Sequence, residues 1–334
     1  MRFSDSAPPA YCVDLPHILV IDVASAKHSR AMRVCLDLRD QADIVLEALV
    51  EADLYLKRTY VVKRVAALNA AARAKVRPFG LNFACRGNRP TQRIRQAGNR
   101  IALSPRSASS WWDTARGILT TSAGRFKNSR HASMSTPLKR SAYELTAASL
   151  AEPRVTFFTR VWAQQDAPES DPVFLDAIND NRAEIIRALR EALGDRFVGG
   201  LTASELAHAR YPDCVVESDT SKLSYLKAMQ EGLIGIATTG LHQSTGWKIA
   251  EYIAASRCVV SEPLTSCLPD PLREGKNLLT FRSPSECVIA CQRLLSDPEL
   301  ANSMRRHNAA YYRQRLRADV LMRKHLQSAV ACPS

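Results

Sequence analysis

From residue 155 onward, short β-branched or aromatic runs alternate with helical stretches, and this most restricts what the chain can fold into. Residues 155–162 (Val-Thr-Phe-Phe-Thr-Arg-Val-Trp) read as a strand. Ile178, Arg182, Ile185, Ile186, Leu189 and Leu193 then recur at helical spacing, closed by Gly194. Further strands are expected at 214–216, 234–238, 259–261 and 278–281, with helices between them. Ser283-Pro284-Ser285-Glu286 carries a cap, a first-position proline and a capping-box glutamate, and Asp297-Pro298 opens another helix. Strand and helix alternating in this way predict an α/β fold, a parallel sheet with helices on both faces. Ligands of such sheets bind beyond the strand C-termini, where Arg160, residues 239–246 and Glu262 all fall.

The first half predicts a smaller α/β unit. Strands are expected at 18–23, 44–46 and 54–56, with a helix over 61–74. Between residues 86 and 153 periodicity is poor, and twelve Lys or Arg stand against Asp113, Glu144 and Glu152. A segment that basic suits anionic lipid, an anionic polymer or nucleic acid, or is a solvated connector. Trp111 and Trp112 within it could anchor at a membrane interface or pin the loop to the domain. RNA-binding aromatic motifs are lacking, so no nucleic-acid partner is expected, whereas peripheral contact with an anionic membrane through 86–140 is.

At 334 residues the chain is expected to hold two domains, 1–150 and 151–334. No apolar run reaches the roughly 18–20 residues that span a bilayer, and the N-terminus lacks an apolar signal core. Nine cysteines without C-x-x-C spacing read as reduced thiols in a cytoplasmic protein. Cys287 and Cys291, one helical turn apart, could approach a metal, but no metal site is expected.

Residues 240–263 (GLHQSTGWKIAEYIAASRCVVSEP) carry the densest chemistry. Thr245 is expected to cap a helix, with Gly246, Trp247 and Lys248 in its opening turn. Lys248 and Glu251, three apart, share a helix face. Free backbone N–H groups beside a lysine can hold a phosphate, and a carboxylate one turn on can accept sugar hydroxyls. A solvated surface pair, worth about 0.2–0.5 kcal/mol, uses the same spacing. His242 could touch a sugar or phosphate, or be satisfied by its own loop. P-loop spacing is absent, because five residues separate Gly240 from Gly246 and Trp247 precedes Lys248; no G-x-G-x-x-G occurs either.

Residues 155–326 resemble the donor-binding domain of GT-B glycosyltransferases, which use nucleotide-sugar donors. The resemblance rests on Thr159-Arg160 at the end of the opening strand and on residues 246–260, a helix, small-residue turn and Val-Val strand. It extends to Gly275-Lys276-Asn277-Leu278-Leu279, Leu294-Leu295 and Asp297-Pro298-Glu299-Leu300. The first half resembles the family loosely, over residues 52–60. The resemblance implies two Rossmann-like domains, with a small acceptor-side N-terminal domain. It implies a sugar transferred to a glycan, lipid-linked or other small acceptor, without metal or cofactor beyond the donor. Glu251 would bind the ribose; Arg160, His242, Gln243, Ser244, Thr245, Gly246 and Lys248 would complete the donor site. Many retaining members carry a glutamate eight positions before the ribose-binding one; here that position is Gln243, a neutral amide. A relative that binds nucleotide or glycan without turnover is therefore the alternative. A base for an inverting reaction would come from the first half, where Asp22 is the first candidate and His28 the second.

Overall fold

The computed structural model describes residues 17–23, 31–86 and 138–331. The first half forms a four-stranded sheet in the order β1 (Ile18–Val23), β2 (Met32–Asp37), β3 (Leu54–Lys57) and β4 (Val76–Pro78). β2, β3 and β4 are parallel, and β1 runs antiparallel to β2. The helices of this half are short: α1 (Leu46–Glu51), α2 (Val62–Ala66) and α3 (Ala70–Lys75).

Three expectations for this half are corrected. Residues 44–46 are not a strand; Leu46 begins α1, and the strand lies earlier, at β2. The long helix over 61–74 is two helices, because the Asn69 side chain accepts from the Ala72 amide at 2.9 Å and starts α3 afresh. β4 follows directly from α3, a change the helical pattern hides.

At the C-terminal ends of β2 and β3 sits a buried ionic cluster. Asp37 Oδ2 accepts from the Tyr55 hydroxyl at 2.5 Å and Lys57 Nζ at 2.8 Å; Arg39 Nε and Nη2 bridge both carboxylate oxygens at 3.0 Å each. Burial pushes the Asp37 carboxyl up, but Arg39 and Lys57 more than offset it, so it lies below the usual carboxylate range. The cluster thereby fixes the start of the loop after β2.

A two-residue parallel pair, β5 (Cys85–Arg86) with β6 (Leu138–Lys139), precedes the second sheet. That sheet has six parallel strands: β7 (Glu152–Thr159), β8 (Phe197–Thr202), β9 (Val215–Val216), β10 (Gly232–Ala237), β11 (Cys258–Ser261) and β12 (Leu279–Thr280). Their spatial order is β12-β11-β10-β7-β8-β9. The chain builds outward from β7 to β9, returns to β10 beside β7, and builds outward the other way. This is the doubly wound order of dinucleotide-binding sheets, whose ligands sit where the winding reverses. The helices are α4 (Pro172–Leu193), α5 (Glu205–Arg210), α6 (Lys222–Glu231), α7 (Trp247–Ala254), α8 (Pro284–Ser296) and α9 (Pro298–Tyr311). Asp171, Ser283 and Asp297 cap α4, α8 and α9 with their side chains. Glu286 reaches back to the Arg282 amide at 2.7 Å, one residue earlier than a capping box requires.

β8 has no forecast in the sequence, because Gly199 and Gly200 interrupt its apolar pattern. At Gly199, φ is +149° and an added Cβ would lie 2.1 Å from the Phe157 carbonyl oxygen, so only glycine allows β8 this close to β7. Apolar side chains fill both faces of the sheet: Phe157, Ile185, Ile186 and Leu189 on one, Met229, Ile249, Ile253 and Val259 on the other. The final helix, α10 (Ala318–Ala331), packs against the first sheet, with Leu321 among Val34, Leu36, Leu54 and Leu56. His325 stacks on Phe79 and meets its carbonyl oxygen at 2.7 Å. The chain end therefore ties the two sheets together.

Candidate functional site at the strand switch point

The winding reverses between β7 and β10, and the residues just past those two strands form the candidate site. β7 ends at Thr159, which places Arg160 over the crevice, stacked 3.7 Å from the Trp162 ring. Asn179 on α4 clamps the Trp162 backbone at both its N–H (2.8 Å) and C=O (2.9 Å). The Trp162 indole N–H is buried without a partner among the described residues. Arg182, one turn further on α4, is 5% exposed and stitches the two strand ends. It donates to the Arg160 carbonyl at 2.7 Å, the Thr239 carbonyl at 3.2 Å and the Thr238 hydroxyl at 3.3 Å. Burial, with Arg160 nearby, draws its pKa down to about 10 against the pull of Glu262. Glu262 accepts from the Thr239 amide at 2.6 Å, the Thr239 hydroxyl at 2.7 Å and Asn181 at 2.8 Å, so it is already engaged.

Past β10 the chain makes a tight loop before α7. The Gly240 amide donates to the Ser244 carbonyl and the Ser244 amide to the Leu241 carbonyl, both at 3.0 Å. His242 and Gln243 hold left-handed backbone conformations (φ +56° and +57°), an arrangement that costs energy in non-glycine residues. His242 Nε2 faces Glu169 at 3.5 Å. The helix begins one residue later than expected: Gly246, not Thr245, is the N-cap, and no side chain caps it. The Thr245 hydroxyl is taken by Ser266 at 2.9 Å, and its carbonyl accepts from Arg58 Nη2 at 2.7 Å. The opening N–H groups of α7 are left to other acceptors.

Lys248 lies in that opening turn, half-buried, with no hydrogen bond or ion pair among the described residues. Burial foremost, then the charge of Arg182, with Lys222 and Arg160 adding, draws its pKa down to about 7; Glu251 opposes the shift. Glu251 itself is 2% exposed. Its carboxylate accepts from Lys222 Nζ at 2.6 Å and the Tyr225 hydroxyl at 2.8 Å, both on α6. The solvated Lys–Glu pair is therefore not what this helix carries. Four cations (Arg160, Arg182, Lys222, Lys248) gather at a helix N-terminus, and the nearby carboxylates already have partners.

Arg182, Lys222 and Tyr225 have no forecast as site residues. Arg182 does leave a signal, a charge on the apolar stripe of an amphipathic helix; a buried charge there must have a task. Lys222 and Tyr225 leave none, since α6 meets Glu251 only through the fold.

Two openings adjoin the loop. A cavity of about 340 Å3 is lined by Gln41, Ala42, Asp43 and Arg64 from the first half and by Phe174, His242 and Gln243 from the second. A narrower cleft runs past Arg58, Thr59, Asn82, Thr245, Gly246 and Ser266. The expectation that Asp22 faces the crevice is corrected. β1 is antiparallel, so Asp22 pairs in register with Arg33, at the other end of the sheet from Asp37 and Lys57. Its carboxylate meets Arg33 Nε at 3.1 Å. His28, Trp111, Trp112 and most of the basic segment lie outside the described residues. Within the described part, Arg140 is spent on Glu144 (2.9 Å) and Asp319 (3.1 Å). Cys287 and Cys291 are buried in the core of the second sheet. Among the described residues no cluster of three metal-ligating side chains occurs, and no helix is long and apolar enough to cross a membrane.

Residues 182–331 match the family described as glycosyl transferase-like. The C-terminal half of this chain is therefore similar to the glycosyl transferase-like family. No match to a curated protein was found. Among solved structures, the chain is similar to the C-terminal domain of a glycosyl transferase group 1 family protein from Francisella tularensis. That likeness has 10% identity, covers 52% of this chain and 95% of that one, and has a TM-score of 0.37. It is also similar to Anabaena HepE in complex with UDP, at 11% identity, 93% and 71% coverage and a TM-score of 0.44. Against HepE in complex with UDP and glucose, at 11% identity and a TM-score of 0.44, the match covers 86% of this chain and 66% of that one. The family match begins at Arg182 and takes in Lys222, the 238–246 loop, Lys248 and Glu251. The matched span leaves out β7 and Arg160, which complete the switch point.

Proposed function

We propose that the chain is a glycosyltransferase that binds a nucleotide-sugar donor at this switch point and passes the sugar to an acceptor held toward the first half. The observation that carries the reading is the unpaired Lys248 in the first turn of α7, with Arg160 and Arg182 beside it. A helix N-terminus contributes about 0.3–1 kcal/mol toward an anion. Micromolar affinity needs about 8 kcal/mol. Several charge-assisted bonds of about 1.5–3 kcal/mol must therefore converge, and Lys248, Arg160, Ser244 and the opening amides of α7 supply donors for a diphosphate.

As the bond from sugar to diphosphate breaks, negative charge grows on the leaving oxygen. Lys248 and Arg160 stabilise it more in the transition state than before. Arg182 positions rather than binds, holding Arg160 and Thr239 in register. In this reading the chain's own cations do the work a divalent metal would otherwise do on the leaving group, so activity persists in EDTA. Glu251 keeps Lys222 beside Lys248; a ribose contact would require Lys222 to yield one carboxylate oxygen. His242 and Gln243 line the cavity where the donor sugar would project. The same residues also serve a second reading, binding without turnover, which the neutral Gln243 favours.

Thermal shift against UDP, GDP, CDP and ADP tests the reading. At least one nucleoside diphosphate raises the melting temperature, and Lys248→Ala with Arg160→Ala abolishes the effect. Stabilisation by none of them overturns it. Bound donor with no release of nucleoside diphosphate turns the conclusion to the second reading.

A further inference from the structure

Glu251 is the only carboxylate on α7, so it is the group that this helix offers to the hydroxyls of a sugar whose phosphate sits on the opening amides. The packing of α6 closes it off. Lys222 Nζ lies 2.6 Å from Oε1, and the Tyr225 hydroxyl 2.8 Å from Oε2. The Lys222 side chain is 21% exposed and that of Glu251 3%, so the lysine is what an incoming ligand meets. The ammonium is itself held, 4.7 Å from the centre of the Tyr225 ring and 5.3 Å from that of Tyr143. Tyr143 is buried, its hydroxyl donating to the Ala84 carbonyl at 3.1 Å. Ser221 caps α6 and fixes the backbone from which Lys222 projects. A cation at the first position of a helix opposes the helix dipole, so Lys222 stands there against local preference and is kept by Glu251 and the two rings. Glu262, past β11, is spent on Thr239 and Asn181.

We infer that Lys222 sets the pentose specificity of the nucleotide site: by covering Glu251 it keeps the site from reading ribose hydroxyls, so deoxyribonucleoside diphosphates and their sugar esters are taken as readily as ribonucleotides. The inference rests on the proposed glycosyltransferase reading. A ribose hydroxyl reaches Glu251 only by displacing Lys222 or Tyr225. Displacing Lys222 exchanges a charge-to-charge hydrogen bond for one from a neutral hydroxyl and gives up two cation–π contacts. Displacing Tyr225 strands a buried phenol. Neither exchange returns what it removes. Lys222 also adds its charge to the cluster around Lys248, so it favours the diphosphate while it hides the carboxylate. Affinity then resides in the phosphates, and the pentose adds no discrimination.

The test is titration calorimetry of the full chain with UDP, GDP, CDP and ADP, each beside its deoxyribo and dideoxyribo counterparts. In wild type the Kd values within each set agree to within about threefold. Lys222→Ala removes the ammonium and opens the path to Glu251, and every form binds it more weakly. Its ribo form is expected to bind about tenfold or more tighter than its dideoxyribo counterpart, the worth of a charge-assisted hydrogen bond. Lys222→Arg keeps a cation on Glu251 and restores level affinities within each set. A wild-type preference for the ribo form of more than about threefold overturns the inference and leaves the glycosyltransferase reading standing. So does a Lys222→Ala protein, folded by circular dichroism, that binds all forms of a set alike. Should that variant not fold, the wild-type sets decide alone. No nucleoside diphosphate binding in wild type overturns both.

Discussion

If Lys248 holds the diphosphate, binding must draw a proton from solution. In the free protein its pKa lies at about 7, against 10.5 for an ordinary lysine, because it is half-buried and sits beside the charges of Arg182, Lys222 and Arg160. At about pH 8 the free site is therefore roughly 90% neutral at this position. A diphosphate beside it restores the ordinary preference for the charged form, so each binding event takes up about 0.9 proton. Affinity then falls by nearly tenfold, about 1.4 kcal/mol, for each pH unit above about 7 until the bound lysine titrates. Titration calorimetry in buffers of different ionisation enthalpy measures the uptake directly, using the nucleoside diphosphate that stabilises the protein most. In Lys248→Met the uptake vanishes and the pH dependence flattens. Without ligand the sign is fixed as well. The unfolded chain binds more protons than the fold between about pH 7 and 10.5, so this group's penalty is fully present below about 7 and relieved as pH rises. Binding with less than about 0.2 proton taken up would refute the placement of Lys248 against the phosphates.

Two further outcomes follow from the packing. Glu251→Ala leaves the buried Tyr225 hydroxyl and Lys222 without their acceptor and is expected to cost about 3 kcal/mol, read from denaturant unfolding. Unchanged stability would show that the pair is not formed in solution. Gly235→Ala would place a Cβ 2.5 Å from the Tyr252 ring between β10 and α7, and should destabilise by about 1–3 kcal/mol. A neutral effect there would mean that helix and strand are further apart than described.

The second sheet was legible because each of its strands but one is a β-branched run bounded by turn residues. The exception, β8, is hidden by Gly199-Gly200, which serve close strand approach rather than packing. The doubly wound order could not be read from alternation alone, since many strand orders share one pattern. Asp22 shows why. A buried strand looks the same whether parallel or antiparallel, and only finding β2 at Met32–Asp37 reveals that the eight residues between are too few for a parallel crossover. The helix after the 238–246 loop was legible from its sequence, but its cap was not, because the Thr245 hydroxyl goes to Ser266, a partner distant along the chain. Helical spacing likewise put Glu251 on a face with Lys248, yet only α6 determines that its carboxylate turns inward.

The central claim is that the switch-point cations hold the diphosphate of a nucleotide-sugar donor. The most direct measurement is the melting temperature of the wild type and of Arg160→Ala/Lys248→Ala with each nucleoside diphosphate in turn. At ligand about 100-fold above its Kd the account predicts about 2.7 kcal/mol of stabilisation for wild type, and none for the double variant. Equal stabilisation of both proteins, or of neither, would contradict it.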